Sequence, residues 1–158
     1  MRRLAIILVP LFAAVASFAQ ERGAPQEPAS RVRFEAVDVF IDSHEQPLAA
    51  YQFELFATTG NVKIVGVEGG EHPAFHEPPY YDPAALTQDR IIIAAFSTAT
   101  ELPSGRTRVA RLHMQVNGAV EPQYKLRLIA SATQDGGAIA AEIEYAPAST
   151  APSAGEKE

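Results

Sequence analysis

Apolar and polar residues alternate with a period of two along most of the chain between residues 31 and 145. Alternation of this kind is typical of β-strands that bury one face and expose the other. The clearest example is the segment 108–117, in which every second residue is expected to face the core. Its predicted inward residues are Ala110, Leu112, Met114 and Val116, and its predicted outward residues are Val109, Arg111, His113 and Gln115.

Other short segments have the same strand character. In the segment 31–42 the apolar parity changes near Ala36, which predicts either a bulge there or a strand that changes sheet. The segment 90–97 (RIIIAAFS) is almost entirely apolar, which predicts a strand buried on both faces. In the segment 124–130, Tyr124, Leu126, Leu128 and Ala130 are predicted to face inward. With turns between them, these segments predict an all-β fold, a two-sheet β-sandwich of about 7–9 strands.

One short helical signal interrupts the strands. Asp82 is a good N-cap residue, Pro83 suits the first helical position, and the residues after it are good helix formers. This predicts a short helix inside the loop 69–89. That loop has about 20 residues, which is longer than most loops in compact domains and makes it a candidate for function.

The N-terminus has the features of an export signal. Arginines at positions 2 and 3 precede an apolar run over residues 4–18, and Ser17 and Ala19 are small residues placed before Gln20. This pattern predicts a Sec-type signal peptide, residues 1–19, cleaved between Ala19 and Gln20, so the protein is expected to be secreted or periplasmic. The run is shorter than the roughly 20 residues that a membrane span needs, so no span is expected after cleavage.

The composition of the segments on either side of the strands indicates that they lie outside the folded domain. Residues 20–30 are polar and Pro-containing and are predicted to be a flexible linker, and residues 146–158 are predicted to be a disordered tail. The domain is therefore expected to span residues 31–145. The absence of Cys removes disulfides, thiol catalysis and Cys-based zinc sites. A formal net charge of −6 argues against a nucleic-acid partner.

The loop 69–89 suggests a ligand site. Phe75, Tyr80 and Tyr81 would offer flat rings, and Asp82 a carboxylate, to a sugar or a peptide. The alternative is that the loop only covers the open end of the sandwich.

The same loop also suggests a metal site. His72 and His76 are four residues apart, a spacing that on a helix places both rings on one face. Glu71, Glu77 or Asp82 would have to supply the third ligand of a metal-dependent hydrolase. The alternative is two exposed loop histidines. No nucleophile elbow, phosphate-binding loop or dinucleotide fingerprint is present, so a non-catalytic protein without a cofactor is expected.

The order of these features resembles the cohesin domain and its carbohydrate-binding-module relatives. The resemblance lies in the V-x-V-x-I-D end of the first strand (37–42), the segment LAAYQFEL (48–55), the strand 62–67 before a Gly-containing loop, the strand 91–96, and the strand with Ala110, Leu112 and Met114. It implies a jelly-roll sandwich that binds without catalysis, with a protein partner such as a dockerin-like domain, or a polysaccharide. The absence of Trp favours the protein partner.

Overall fold

The computed structural model describes residues 31–148, so the predicted signal peptide, the linker and most of the predicted tail lie outside the described residues. Eight strands and two single-turn 3-10 helices make up the described part. The strands are β1 (Val32–Asp42), β2 (Ala50–Thr59), β3 (Asn61–Glu68), β4 (Tyr80–Tyr81), β5 (Arg90–Phe96), β6 (Arg106–Asn117), β7 (Gln123–Ala132) and β8 (Glu142–Pro147), and the 3-10 helices are Pro73–Phe75 and Pro83–Ala85.

The strands form two antiparallel four-stranded sheets. The first sheet has the order β3-β6-β1-β8 and the second has the order β4-β5-β2-β7. The side chains between the sheets form one apolar core. The prediction of an all-β sandwich with about 7–9 strands is therefore confirmed. In the described residues, no helix is long and apolar enough to cross a membrane.

The core is filled by residues that the alternation placed there. Ala110, Leu112, Met114 and Val116 of β6 are completely buried, as predicted. Phe53 of β2 faces them from the second sheet and is also completely buried. Complete burial of a large apolar side chain stabilises a fold by roughly 1.5–3 kcal/mol, so these residues supply much of the stability of a chain without disulfides.

A bulge lies in β6 and not, as predicted, near Ala36 in β1. The pairing of β1 with β6 is regular from Val32 to Val39, and its register then shifts because Val109 is an extra residue on β6. Val109 is consequently buried together with Ala110, although the alternation predicted that it faces outward.

A second bulge changes the parity of β7. The register between β2 and β7 shifts after Gln52, and Ile129 is the additional residue. Beyond this point Ser131 is buried, whereas Ala130, predicted to face inward, is exposed. Residues before the bulge follow the prediction, because Tyr124, Leu126 and Leu128 pack against the core.

The prediction that β5 is buried on both faces is wrong. Ile91 and Ile93 lie in the core, but Ile92 is 42% exposed and Phe96 is 65% exposed. β5 pairs with β2 on one side and with β4 on the other, and only one face of the second sheet meets the first sheet. The outward side chains of β5 therefore remain in solvent.

The short helix predicted in the loop 69–89 is present as one 3-10 turn. The Asp82 carboxylate accepts a hydrogen bond from the backbone N–H of Ala84 at 2.9 Å, and the turn ends where Leu86 becomes extended. The second 3-10 turn, at Pro73–Phe75, was not predicted. At the other end of the chain, β8 continues two residues past Tyr145, where the domain was expected to end.

Candidate functional site

The first half of the loop, residues 69–79, is fastened to β6. The backbone N–H of Glu71 donates to the Arg108 carbonyl at 3.0 Å, and the Glu71 carboxylate accepts from the Arg108 N–H at 3.0 Å. The Arg108 guanidinium donates to the Gly69 carbonyl at 3.1 Å. This half of the loop is thus a fixed part of the fold.

Two glycines allow close backbone contacts, one within the loop and one between the loop and β6. A Cβ atom on Gly69 would lie 2.0 Å from the backbone oxygen of His76, and one on Gly70 would lie 2.5 Å from the oxygen of Arg108. Because both neighbours are backbone atoms, any larger residue would push the segments apart. The close backbone packing therefore requires glycine at both position 69 and position 70.

Phe75, which the sequence predicted as a ligand-binding residue, belongs to the core. Its side chain is buried and meets the ring of Tyr51 edge-to-face, with ring centroids 5.1 Å apart. The Tyr51 hydroxyl donates to the Val109 carbonyl at 2.9 Å, and burial raises the pKa of this hydroxyl above its usual value. Phe75 thus closes one end of the core, as expected of a loop that covers the sandwich.

The predicted metal ligands do not converge. The Glu71 carboxylate is taken up by the Arg108 backbone, and Nδ1 of His72 accepts from the Ala74 N–H at 3.2 Å. His76 lies exposed at the end of its 3-10 turn. Within residues 31–148, no three His, Cys, Asp or Glu side chains are placed to hold a metal ion. The predicted set of Glu71, His72 and His76 is therefore not brought together as a ligand set.

Tyr80 and Tyr81 do not form one platform. They are neighbours in β4, where they pair with Ala94 and Ile93 of β5, and consecutive residues of a strand point to opposite faces. Tyr81 is half-buried against the core, whereas Tyr80 is 68% exposed on the outside. Only Tyr80 is thus available on the outer face of the sheet.

The exposed ring next to Tyr80 is that of Phe96. The two rings are nearly parallel, with an interplanar angle of 10° and centroids 6.0 Å apart. An open groove of about 490 Å³ runs beside them along the edge of β5. It is lined by Tyr80, Tyr81, Asp82, Ala85, Arg90, Ile91, Ile92 and Ala94.

We call the outward side of the second sheet the second-sheet face. Its apolar part consists of Tyr80 and Phe96 together with Ile92 and Ile129, all of them exposed. Its polar part is centred on the β2 residue Glu54. The residues of the face are Gln52, Glu54, Phe56, Tyr80, Arg90, Ile92, Ala94, Phe96, Lys125, Arg127, Ile129 and Ala130.

Glu54 holds two arginines in the middle of this face. Its carboxylate accepts hydrogen bonds from Nε of Arg90 on β5 and from Nε of Arg127 on β7 at 3.0 Å, and Nη2 of Arg127 lies 2.9 Å from it as an ion pair. The Glu54 side chain is only 5% exposed, whereas those of Arg90 and Arg127 are 61% and 63% exposed. The carboxylate is thus covered by two guanidinium groups that themselves face solvent.

The pKa of Glu54 lies below its usual value. Its burial acts in the opposite direction, but the hydrogen bonds and positive charges of Arg90 and Arg127 outweigh that effect. Glu54 is therefore ionised at neutral pH and anchors both guanidiniums by charge-assisted hydrogen bonds.

The outer face of the first sheet has a different electrostatic character, because arginines on it such as Arg106 and Arg111 are paired with carboxylates of the same sheet. Arg111 donates two hydrogen bonds to Asp38 at 2.6 and 2.9 Å. His113 contacts Glu68 at 2.7 Å. The comparison makes the second-sheet face the better candidate for a binding site.

The sequence indicated Tyr80, the groove residues Tyr81 and Asp82, and the outward positions of Lys125 and Arg127, but not the exposed apolar residues of β5 or the role of Glu54. Ile92 and Phe96 lie in an apolar run that was predicted to be buried on both faces, so they were assigned to the core. The available signal for Glu54 was its position in YQFELF, where it shares the outward parity with Phe56. Nothing in the sequence indicates that Arg90 and Arg127 meet there, because they lie on strands that flank β2 from opposite sides.

Comparisons with known proteins give this chain no relative. No family model, no curated protein and no solved structure matches it. The resemblance to the cohesin domain therefore rests on the sequence pattern alone.

Proposed function

We propose that the chain is an exported, non-catalytic binding module that docks a protein partner on its second-sheet face. The observation that carries the proposal is the side-chain composition of that face. Tyr80, Ile92 and Phe96 stand exposed beside Arg90 and Arg127, which Glu54 fixes in place. Export follows from the predicted signal peptide.

This composition is that of a protein interface. Aromatic residues and Arg are enriched at the centres of such interfaces, and truncation of Tyr or Arg there often costs much of the binding energy. Salt-bridged arginines also lose less conformational freedom on binding than free ones, which lowers the cost of association. The resemblance to cohesin domains, which bind dockerin domains through one sheet face, agrees with this assignment.

The two alternatives have less support. A polysaccharide platform made of Tyr80 and Tyr81 would need both rings on one face, and they lie on opposite faces of β4. A metal-dependent hydrolase would need Glu71, His72 and His76 to converge, but Glu71 and His72 bind other backbone groups and His76 is exposed. The Asp82 carboxylate also has a structural role, since it accepts a hydrogen bond from the backbone N–H of Ala84.

The test is affinity capture from the envelope and culture medium of the producing cells. Phe96 and Phe34 are a matched pair, because they are 65% and 73% exposed and lie on the outer faces of opposite sheets. We expect the unchanged protein and the Phe34→Ala variant to retain the same partner protein, and the Phe96→Ala variant to lose it. Equal retention by the Phe96→Ala variant, or equal loss by both, would overturn the proposal.

A further inference from the structure

We infer that the partner presents a carboxylate to Arg90 and Arg127, on an extended acidic segment whose apolar side chains lie on Ile92 and Phe96. This inference rests on the proposed function and adds the chemistry of the partner to it. It starts from the pair of guanidiniums that Glu54 fixes on the second-sheet face.

The two guanidiniums are held by Glu54 on the side facing the sheet and are exposed to solvent on the other side. Glu54 lies on the central strand β2, and the arginines reach over it from β5 and β7. Each arginine has five N–H donors; its Nε donates to the Glu54 carboxylate, and its Nη2 is in ion-pair contact with the same group. Within residues 31–148, the Nη1 groups of Arg90 and Arg127 have no hydrogen-bond acceptor. Donors therefore remain for a second, incoming carboxylate.

The local charge favours an anion. Three cationic side chains, Arg90, Lys125 and Arg127, share the face with the carboxylate of Glu54, and a second carboxylate, that of Asp82, lines the groove beside Arg90. A net positive patch thus lies on a chain whose formal net charge is −6. The Arg fork matches the geometry of a carboxylate, which can accept two parallel N–H bonds.

The small size of this patch favours an acidic peptide over a polyanionic polysaccharide. Arg90, Lys125 and Arg127 do not continue into a basic stripe, and the overall negative charge of the chain repels a long polyanion. Apolar residues begin directly beside the patch, since Ile92 lies opposite Glu54 on the neighbouring strand. A partner that fits must therefore combine one carboxylate with apolar side chains.

The spacing of the face residues fits an extended segment. Arg90, Ile92, Ala94 and Phe96 follow one another on one side of β5, about 6.4–6.8 Å apart. β4 covers this edge of β5 only at Ile93 and Ala94, so residues 90–92 have no strand beside them on that edge in the described part of the chain. An extended peptide with an acidic residue, and apolar residues two and six positions away, would match Arg90, Ile92 and Phe96.

The experiment is an NMR titration of the ¹⁵N-labelled protein with two blocked peptides. One is acetyl-Asp-Ser-Leu-Ser-Ala-Ser-Phe-amide, and the other has Asn in place of Asp. We expect the acidic peptide to shift the side-chain Nε–H signals of Arg90 and Arg127 and to bind about tenfold more tightly than the Asn peptide.

Two variants control the titration. Arg127→Gln removes one fork from the face, and Arg106→Gln removes an exposed arginine from the first sheet, where it pairs with Glu144. We expect Arg127→Gln to abolish the preference for the acidic peptide and Arg106→Gln to leave it unchanged. Amide spectra with the native dispersion establish that each variant is folded.

The outcomes separate this inference from the proposed function. Equal binding of both peptides, with shifts confined to Ile92 and Phe96, would contradict the inference that the partner presents a carboxylate. It would still be consistent with docking on the second-sheet face. No shift at Arg90 or Arg127 with either peptide overturns the inference, while the capture experiment judges the proposed function by itself. Tighter binding of heparin than of the acidic peptide overturns the choice of a peptide.

Discussion

At the scale of single residues, Glu54 is the most consequential side chain of the second-sheet face. It occupies an outward position on β2 and is nevertheless almost covered, because Arg90 and Arg127 lie over it. Without its charge, the two guanidiniums would repel each other and lose their common anchor. Glu54 thus links the stability of the face to the positions of the groups available for binding.

The contribution of Glu54 to stability depends on pH. Its pKa is lowered in the folded state, whereas an unfolded Glu has a pKa of about 4.3. The stabilisation is therefore complete above the unfolded pKa and is lost as the pH falls through the lower folded pKa. We expect urea unfolding to give a stability gap between the unchanged protein and Glu54→Gln at pH 7 that narrows by pH 2.5. A gap of constant size would contradict this assignment.

Gly69 is a second residue whose identity matters for stability. Replacement by Ala would place a Cβ atom against the His76 oxygen, and we expect a loss of about 1–3 kcal/mol of unfolding free energy. Gly66→Ala is the matched control, since its Cβ would meet only the His113 side chain at 3.6 Å. Chemical denaturation of both variants checks the prediction, and equal losses would refute the close-packing explanation.

At the scale of elements, the loop 69–79 and strand β5 differ most from their sequence-based predictions. Phe75 of the loop fills the end of the core, and β5 exposes one face. A run of apolar residues indicates that a strand has apolar neighbours, but it does not tell whether a second layer covers the other face. This ambiguity is why Ile92 and Phe96 were assigned to the core.

Because Phe75 anchors the loop in the core, its removal should cost much more stability than the removal of the exposed Tyr80. We expect Phe75→Ala to lower the free energy of unfolding by about 3–5 kcal/mol, because it leaves a cavity beside Tyr51. Tyr80→Ala removes an exposed ring and should change stability by about 0.5 kcal/mol or less. Thermal and urea unfolding measure both. Similar losses for the two variants would show that the loop is not anchored by Phe75.

Much of the fold was predictable because its alternation is regular. Four inward residues of β6 were assigned correctly, and the errors begin where a bulge adds one residue, at Val109 and at Ile129. A bulge reverses the parity of every residue after it, and it depends on the pairing partner as much as on the sequence of the strand. The assignment of Ala130 failed for this reason.

At the scale of the whole molecule, the two sheets present different outer faces. On the first sheet, Asp38 forms an ion pair with Arg111, and Glu68 contacts His113. On the second sheet, one carboxylate serves two arginines, and apolar side chains stand beside them. Such a difference arises from the order of strands in the two sheets, which the sequence alone did not indicate.

The central claim is that a protein partner docks on the second-sheet face. The most direct measurement is photo-crosslinking in the producing cells, with p-benzoylphenylalanine in place of Phe96 or, as the control, in place of Phe34. We predict that the probe at position 96 gives a discrete protein adduct and that the probe at position 34 does not. The same adducts from both positions, or none from position 96, would contradict the claim.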